Sequence, residues 1–291
     1  MSALKVWIDG KIVALEDART SPLAHGLHYG TGVFEGIRCY ATPKGPRIFR
    51  LDAHLDRMRR GAAHLAIALD VEAMARASAE VVAANGFENA YLRPLAYYES
   101  GGLGLDVAPL TARSMVAAMP WKSHLGDSHA SRGVRLHTTS WRRVPSSAVP
   151  ALKICGVYAN SIIAKWEAVK AGFEEALFVD DRGFVCEATG ENVFLIKNGR
   201  VIAPTHDDAL PGITRATIVA LTGAEERAVT LDELRDADEI FLTGTSAEVA
   251  GVGVFDAREI GVGPMTREIA AQYLAIVHGQ SPDHGGWLTE V

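Results

Sequence analysis

The chain opens on two short apolar runs, 6–8 and 11–13, flanking Asp9-Gly10, a dipeptide suited to the positive φ angles of a two-residue hairpin turn. Leu55, Met58, Ala62 and Leu65 then recur on one helical stripe behind Asp52, which predicts a helix with Asp52 as its N-cap. A second helix is predicted over about 71–84, stopped by Asn85-Gly86. The aromatic and apolar run 90–98 predicts a buried strand, and 114–119 a second. Between 120 and 133 large apolar residues give way to Ser, His, Gly and Asp, the pattern of a connection between domains.

Beyond it strands dominate. The alternation at 134–141 predicts one; 176–179 and 184–186 bracket Asp181-Arg182-Gly183, and 193–196 and 201–203 bracket Asn198-Gly199. Helices interrupt at about 160–171 (stopped by Gly172), 214–221 and 266–277. Hairpins outnumber strand–helix–strand units, so the pattern predicts an α+β fold with mostly antiparallel sheet and argues against a doubly wound nucleotide fold. The expected division is a small α+β domain at 1–120, a connector at 121–133 and a larger domain at 134–291.

Composition narrows the class. The 291 residues carry 29 Lys plus Arg against 35 Asp plus Glu, a formal net charge of −6 spread along the chain, with no basic stripe for nucleic acid. Hydrophobic residues make up 48% and charged residues 22%, an ordinary globular balance. Cys39, Cys155 and Cys186 are too scattered for a disulfide framework or a Cys-x-x-Cys metal site, which points to a reducing cytosol. No signal peptide is expected from the first ten residues, and no apolar run approaches the ~18 residues of a membrane span. The expectation is a soluble, cytoplasmic, two-domain enzyme.

The familiar motifs fail one by one. Gly251-Val252-Gly253 meets Asp256, and Gly102-Leu103-Gly104 meets Val107, where a dinucleotide fingerprint needs glycine; no Gly-Lys-Ser/Thr phosphate loop occurs. His25 and His28 are three apart but lack partners at ligand spacing, and His54 and His64 sit on a predicted helix, so no metal is expected. There is no Gly-x-Ser-x-Gly elbow, and Cys155 and Cys186 read as small buried hydrophobes. Lys153 sits in 150–156, the end of an apolar stretch, with no neighbouring carboxylate. Its amine either reaches solvent at a strand end or is partly desolvated, which would favour the neutral form that Schiff-base chemistry requires. Thr243-Gly244-Thr245-Ser246, after an apolar strand, and Leu210-Pro211-Gly212-Ile213-Thr214-Arg215, opening a helix, are each either an anion cradle or an ordinary capped turn.

Longer strings resolve the choice. Glu35-Gly36-Ile37-Arg38-Cys39-Tyr40 and Leu210-Pro211-Gly212-Ile213-Thr214-Arg215 occur in order with 28–30, 54–57, 90–95, 120–121, 140–143, Lys153, 187–192 and 243–248. Over nearly its whole length the chain resembles the branched-chain amino acid aminotransferases, class IV aminotransferases of the fold-type IV pyridoxal-phosphate enzymes. The resemblance implies a two-domain α+β architecture, pyridoxal 5'-phosphate as cofactor, and transamination between L-leucine, L-isoleucine or L-valine and 2-oxoglutarate.

Position by position, it implies Lys153 as the Schiff-base lysine and proton carrier. Glu187 matches the carboxylate facing the pyridine nitrogen, and Arg57 the phosphate-binding arginine, joined by the amides of Ile213 and Thr214 and by Thr245. Tyr158 matches the tyrosine on the cofactor's phenolic oxygen, and Gly190 a point of close backbone approach. Tyr91 with the amides of Thr245 and Ser246 matches the α-carboxylate site. Tyr29 and Arg93 match groups for the distal carboxylate of glutamate, and Phe34, Gly36, Arg38 and Trp121 the pocket walls. The loop 101–107 of a neighbouring subunit would help close the site, implying at least a homodimer.

The chain departs from the family at Ile154-Cys155-Gly156-Val157, where smaller Gly and Asn residues are typical, and at Leu103 and Leu105. Same-fold alternatives are a D-amino acid enzyme, argued against by the absence of an Arg-x-His pair in 101–109, an aminodeoxychorismate lyase, argued against by Tyr91-Leu92-Arg93, and a relaxed (R)-amine transaminase. A non-catalytic binding protein would have no need of Lys153, Glu187 and Arg57 together.

Overall fold

The computed structural model describes residues 4–121, 132–282 and 286–291. The contacts divide the chain into two compact units: Met1–Lys122 with Leu152–Gly156 and Ala275–Val291, and Ser123–Ala151 with Val157–Leu274. Leu152–Gly156 and the C-terminal stretch, expected in the second part, thus pack with the first. Most of the expected connector, 122–131, lies outside the described residues.

The first unit is built on an antiparallel sheet in the order β17 (Leu288–Glu290), β5 (Gly45–Phe49), β4 (Ile37–Thr42), β6 (Ala90–Ser100), β7 (Thr111–Pro120), β1 (Lys5–Ile8), β2 (Lys11–Ala14), with β3 (Gly32–Phe34) also on β6. The β1–β2 hairpin turns on Asp9 (φ 45°) and Gly10 (φ 89°), as the dipeptide predicts. Helix α2 (Leu51–His64) turns its Leu55, Met58 and Ala62 stripe inward, and α3 (Val71–Asn85) lies against β1 and β7 and ends at Gly86 in the left-handed region. The cap of α2 differs from expectation: Arg50, at φ 54°, holds the N-cap position, and Asp52 stands in the first turn, where its charge favours the helix dipole. A five-residue helix, α1 (His25–Tyr29), was not expected from the pattern; it is shorter than any apolar period can reveal.

The second unit holds a mixed sheet in the order β10 (Val185–Ala188), β9 (Glu175–Val179), β8 (Val134–Thr138), β15 (Glu248–Phe255), β14 (Glu239–Gly244), β11 (Asn192–Lys197), β12 (Arg200–Pro204), β13 (Glu225–Arg227), with β16 (Arg258–Glu259) on β15. Only β8 with β9 and β15, and β12 with β13, run parallel among the described strands. The predicted strand at 134–141 stops at Thr138, since Glu167 captures the Thr139 hydroxyl and the Ser140 amide. Val134, Leu136, Leu177, Val193, Leu195, Ile240, Leu242 and Val252 form one core. Helix α4 (Tyr158–Lys170) packs Ala164 and Ala168 on Ala176, Phe178 and Cys186, while α5 (Ile213–Thr222) lies against β12 and β14. Two further helices, α6 (Leu231–Arg235) with a Thr230/Glu233 capping box and α7 (Pro264–Val277), complete the described helices.

Candidate active site

In the first unit, Lys153 is delivered by a strand-like segment rather than by a helix. The Phe34 amide donates to the Lys153 carbonyl (3.1 Å), and Val33 bridges to Ile154, so 152–156 adds to the edge of β3. At the next turn the Gly156 amide donates to the Gly30 carbonyl (3.1 Å). Gly30 caps α1 at φ 65°, and a Cβ there would stand 2.5 Å from Gly156 Cα, so this crossing requires glycine. The Lys153 ammonium lies 4.9 Å from the centre of the Phe34 ring. Burial, and then the positive charge of Arg57, push its pKa down to about 8, against a smaller opposing pull from Glu35. Of the two readings left open by the sequence, partial desolvation holds.

Beneath it lies a buried charge cluster that the motif search passed over. Glu35 has no exposed surface; its Oε1 accepts from Arg57 Nε (2.7 Å) and its Oε2 from Arg57 Nη2 (2.9 Å) and from His54 Nδ1 (2.7 Å). His54 and Arg57 share a face of α2 because they stand three residues apart. Burial alone would raise the Glu35 pKa, but Arg57 and His54 outweigh it and hold the carboxyl well below the usual range. An ionised carboxylate only accepts, so His54 Nδ1 carries the proton.

Strand β6 supplies the next group. Tyr91 and Arg93, two apart, share one face, and Arg93 Nη2 donates to Tyr91 Oη (3.0 Å). Arg93 also lies 4.7 Å over the Phe34 ring, so that ring carries two cations. Tyr91 stacks on Trp121 at 4.9 Å, and Arg38, opposite Tyr91 on β4, lies over the Tyr40 and Trp121 rings. Gly36 makes the room: a Cβ there would come within 2.0 Å of Tyr91 Oη. Tyr29 Oη donates to the Leu103 carbonyl (3.0 Å) and His25 Nε2 bonds the Gly104 carbonyl (3.0 Å), which dock the 101–107 loop on α1.

The second unit carries the remaining positions. Glu187, on β10, is buried; its Oε1 accepts from Arg143 Nε (2.7 Å) and its Oε2 from the Leu210 amide (2.9 Å). Asn192 Nδ2 donates to the Leu210 carbonyl (3.0 Å), so one carboxylate and one amide fix both polar groups of Leu210 ahead of α5. Gly212, the N-cap of α5, has no side-chain cap, and a Cβ on it would stand 1.9 Å from Asn192 Oδ1. The first-turn amides of Ile213 and Thr214 are therefore presented without a competing cap, the arrangement that suits an anion. A Cβ on Gly190 would meet nothing within 4 Å. Tyr158 opens α4, and Thr245 and Ser246 form the turn between β14 and β15.

The first unit thus gathers Phe34, Gly36, Arg38, Tyr91, Arg93, Trp121 and Lys153 through direct contacts, with Arg57 paired to Glu35 and Tyr29 of α1 bonded to the 101–107 loop; the second gathers Glu187 and the Ile213–Thr214 turn. Sequence reasoning gave no role to Glu35, His54 or Arg143. The available signals were an acid in an otherwise apolar string and the i, i+3 spacing of His54 and Arg57. Of the two cysteines expected to be buried, Cys186 is; Cys155 is half-buried, its Sγ 3.2 Å from where a Gly32 Cβ would be, and burial raises its thiol pKa. Among the described residues no cluster of three His, Cys, Asp or Glu could hold a metal ion, and no helix is long and apolar enough to cross a membrane.

Residues 32–254 match the family of class IV amino-transferases, and the chain is a member of it. It is 38% identical to a branched-chain-amino-acid aminotransferase of Pseudomonas aeruginosa, over 98% of this chain and 97% of that protein. Among solved structures it is similar to the T.th. branched-chain amino acid aminotransferase with pyridoxamine 5'-phosphate, with 42% identity, TM-score 0.95, and 100% of this chain and 99% of that one covered. A second structure of that enzyme, complexed with N-(5'-phosphopyridoxyl)-L-glutamate, matches with 41% identity and TM-score 0.94 over the same shares.

Proposed function

We infer that this chain is a pyridoxal-phosphate-dependent aminotransferase that moves the amino group of L-leucine, L-isoleucine or L-valine to 2-oxoglutarate. The observation that carries the reading is Lys153: an amine partly buried against Phe34, its pKa brought down to about 8, beside a buried arginine. Family membership and the phosphopyridoxyl-glutamate complex of a similar enzyme support the cofactor and the second substrate. The open space at Gly190 and the uncapped first turn of α5 fit a flat ring and a phosphate.

Bound, pyridoxal phosphate supplies the carbonyl that takes up the amino group and an electron-poor ring that accommodates the charge left on the substrate α-carbon. By the family resemblance, Arg57, the amides of Ile213 and Thr214, and Thr245 would hold the phosphate, Glu187 would serve the ring nitrogen, Tyr158 the phenolic oxygen, and Gly190 would admit the ring. Lys153 Nζ, its pKa lowered toward the working range, would take the proton from the substrate α-carbon and return it at C4′. Tyr91 with the amides of Thr245 and Ser246 holds the α-carboxylate. Phe34, Gly36, Arg38 and Trp121 wall an apolar side-chain space, while Arg93 and Tyr29 receive the distal carboxylate of glutamate.

The enzyme works as a homodimer or larger assembly in the cytoplasm, with the 101–107 loop reaching a neighbouring subunit. Exposed Leu23, Leu27, Leu103 and Leu105 support such a contact, and sedimentation of the purified protein tests it. The substrate reading is tested by amino transfer to 2-oxoglutarate from L-leucine, L-valine, D-alanine and (R)-1-phenylethylamine side by side. Dominant turnover of the two L-amino acids is expected; dominance of D-alanine or the amine refutes it.

A further inference from the structure

The loop between β6 and β7 is hinged at one end and bolted near its tip. Gly101 (φ 114°) and Gly102 (φ 124°) turn the chain out of β6 in a backbone region that favours glycine. Two internal bonds close the far end: the Ala108 amide donates to Asp106 Oδ1 (3.0 Å) and the Leu110 amide to the Val107 carbonyl (3.0 Å). Among the described residues only two hydrogen bonds join 101–107 to the rest of the first unit. Tyr29 Oη donates to the Leu103 carbonyl (3.0 Å), and His25 Nε2 donates to the Gly104 carbonyl (3.0 Å). His25 and Tyr29 stand four residues apart on α1, so one helix face meets two consecutive carbonyls.

His25 is the buried member of the pair. Its ring lies 4.6 Å from the Tyr29 ring and 6.3 Å from the Tyr98 ring, and its Nδ1 is 2.7 Å from Thr31 Oγ1. A carbonyl only accepts, so Nε2 carries a proton, which leaves Nδ1 to accept from the Thr31 hydroxyl in the tautomer that holds the loop. Both ring nitrogens are thereby committed. Beyond the two bolts the loop carries Leu103 and Leu105 outward, 41% and 82% exposed.

We propose that His25 is a positioning residue for the substrate: with Thr31 fixing its tautomer, it latches the 101–107 loop so that Leu103 and Leu105 present a set apolar surface to the branched side chain in the neighbouring subunit's site. The proposal deepens the transaminase and homodimer reading and rests on it. His25 touches neither substrate nor cofactor and acts through the loop. An unlatched loop must be ordered each time a substrate binds, so the loss falls on KM and leaves the chemical step alone.

Two measurements on the full-length protein loaded with pyridoxal phosphate test it. The first is limited thermolysin digestion under native conditions, with cuts ahead of Leu103 and Leu105 followed by mass spectrometry, which reads how often the loop opens. His25→Phe keeps a ring against Tyr29 and removes both hydrogen bonds. Cutting within 101–107 is expected to quicken about tenfold, the effect of stranding one buried acceptor, with cutting elsewhere unchanged. His25→Gln, which keeps a donor for the Gly104 carbonyl, is expected to stay near wild type. The second measurement is steady-state transfer from L-leucine to 2-oxoglutarate, in which His25→Phe is expected to raise KM severalfold and leave kcat and the visible cofactor band unchanged. Thr31→Val, which keeps the shape and removes only the hydroxyl, is expected to show both effects more weakly, and it carries the test if His25→Phe does not fold. Loop cutting at the wild-type rate in these variants overturns the latch. A loosened loop with wild-type KM overturns the step from latch to substrate. Digestion needs no turnover, so a failure of the transaminase reading shows up separately, as the absence of any amino transfer.

Discussion

Gly36→Ala is a small change with a large expected consequence. The added methyl carbon would stand 2.0 Å from Tyr91 Oη and 2.8 Å from Tyr91 Cζ, where ordinary contact begins near 3.4 Å. Tyr91 must therefore retreat by more than an ångström, and it cannot do so freely, because it stacks on Trp121 and accepts a hydrogen bond from Arg93. Overpacking of this kind costs about 1–3 kcal/mol of stability. Displacing a substrate-positioning group by ~1 Å costs roughly 10²-fold in turnover efficiency, or about 2.7 kcal/mol of transition-state stabilisation. The assay is steady-state transfer from L-leucine to 2-oxoglutarate, alongside thermal unfolding and titration with pyridoxal phosphate. The expected pattern is a kcat/KM reduced by about two orders of magnitude and an almost unchanged cofactor affinity, because Arg57 lies on α2 and not on β6. A folded Gly36→Ala protein with wild-type kcat/KM would refute the placement of Tyr91 at the substrate carboxylate.

Further outcomes follow from the same geometry. Gly212→Ala places a Cβ 1.9 Å from Asn192 Oδ1 and should push the start of α5 away from its bed, weakening pyridoxal-phosphate affinity by roughly tenfold in an absorbance titration; unchanged affinity would remove Ile213 and Thr214 from the phosphate site. Arg93→Ala should impair the glutamate half-reaction more than the leucine one, measured in single-turnover experiments, and equal losses would refute its role at the distal carboxylate. Lys153→Met should stabilise the cofactor-free protein at neutral pH, by about 3 kcal/mol at most. The sign follows from the shift: below pH 8 the lysine is charged in folded and unfolded chains and its burial cost is fully present. Between about 8 and its ordinary 10.5 only the unfolded chain binds the proton, so wild-type stability rises with pH. The gap between variant and wild type in thermal or urea unfolding should thus narrow from pH 7.5 to 9.5, and a constant gap would contradict the lowered pKa.

What could be read from the chain was mostly local. Asp9-Gly10 and Asn198-Gly199 encode their own hairpins, both with positive φ at each turn residue, and the Leu55, Met58 and Ala62 stripe encodes α2. The start of that helix was misjudged, because Asp52 has the chemistry of a cap while Arg50 holds the position by a left-handed backbone that its side chain does not advertise. The strands β3, β4 and β5 were missed for a related reason. They are three to six residues long and broken by glycine, proline and arginine; β4 and β5 pair with each other in a local hairpin, but β3 is held by the distant β6 and β5 also by β17, joining Phe49 to Leu288. The site divides in the same way. Resemblance pointed to Lys153, Arg57 and Glu187 as single residues, but their partners are fixed only by folding. Glu35 meets residues 19 and 22 positions further along, and Arg143 reaches Glu187 across 44. No sequence window could have shown that Lys153 sits on the edge of β3, and that position is what brings Phe34, Arg57 and Glu35 around it.

The central claim is that Lys153 carries the cofactor of a branched-chain aminotransferase, and one measurement addresses it directly. Protein loaded with pyridoxal phosphate is reduced with borohydride, digested and mapped by mass spectrometry. The expected result is a phosphopyridoxyl group on Lys153 in near-stoichiometric yield, absent when L-leucine is added before the reductant and restored by 2-oxoglutarate. A label on another lysine, no label at all, or a label on Lys153 that L-leucine does not remove would contradict it.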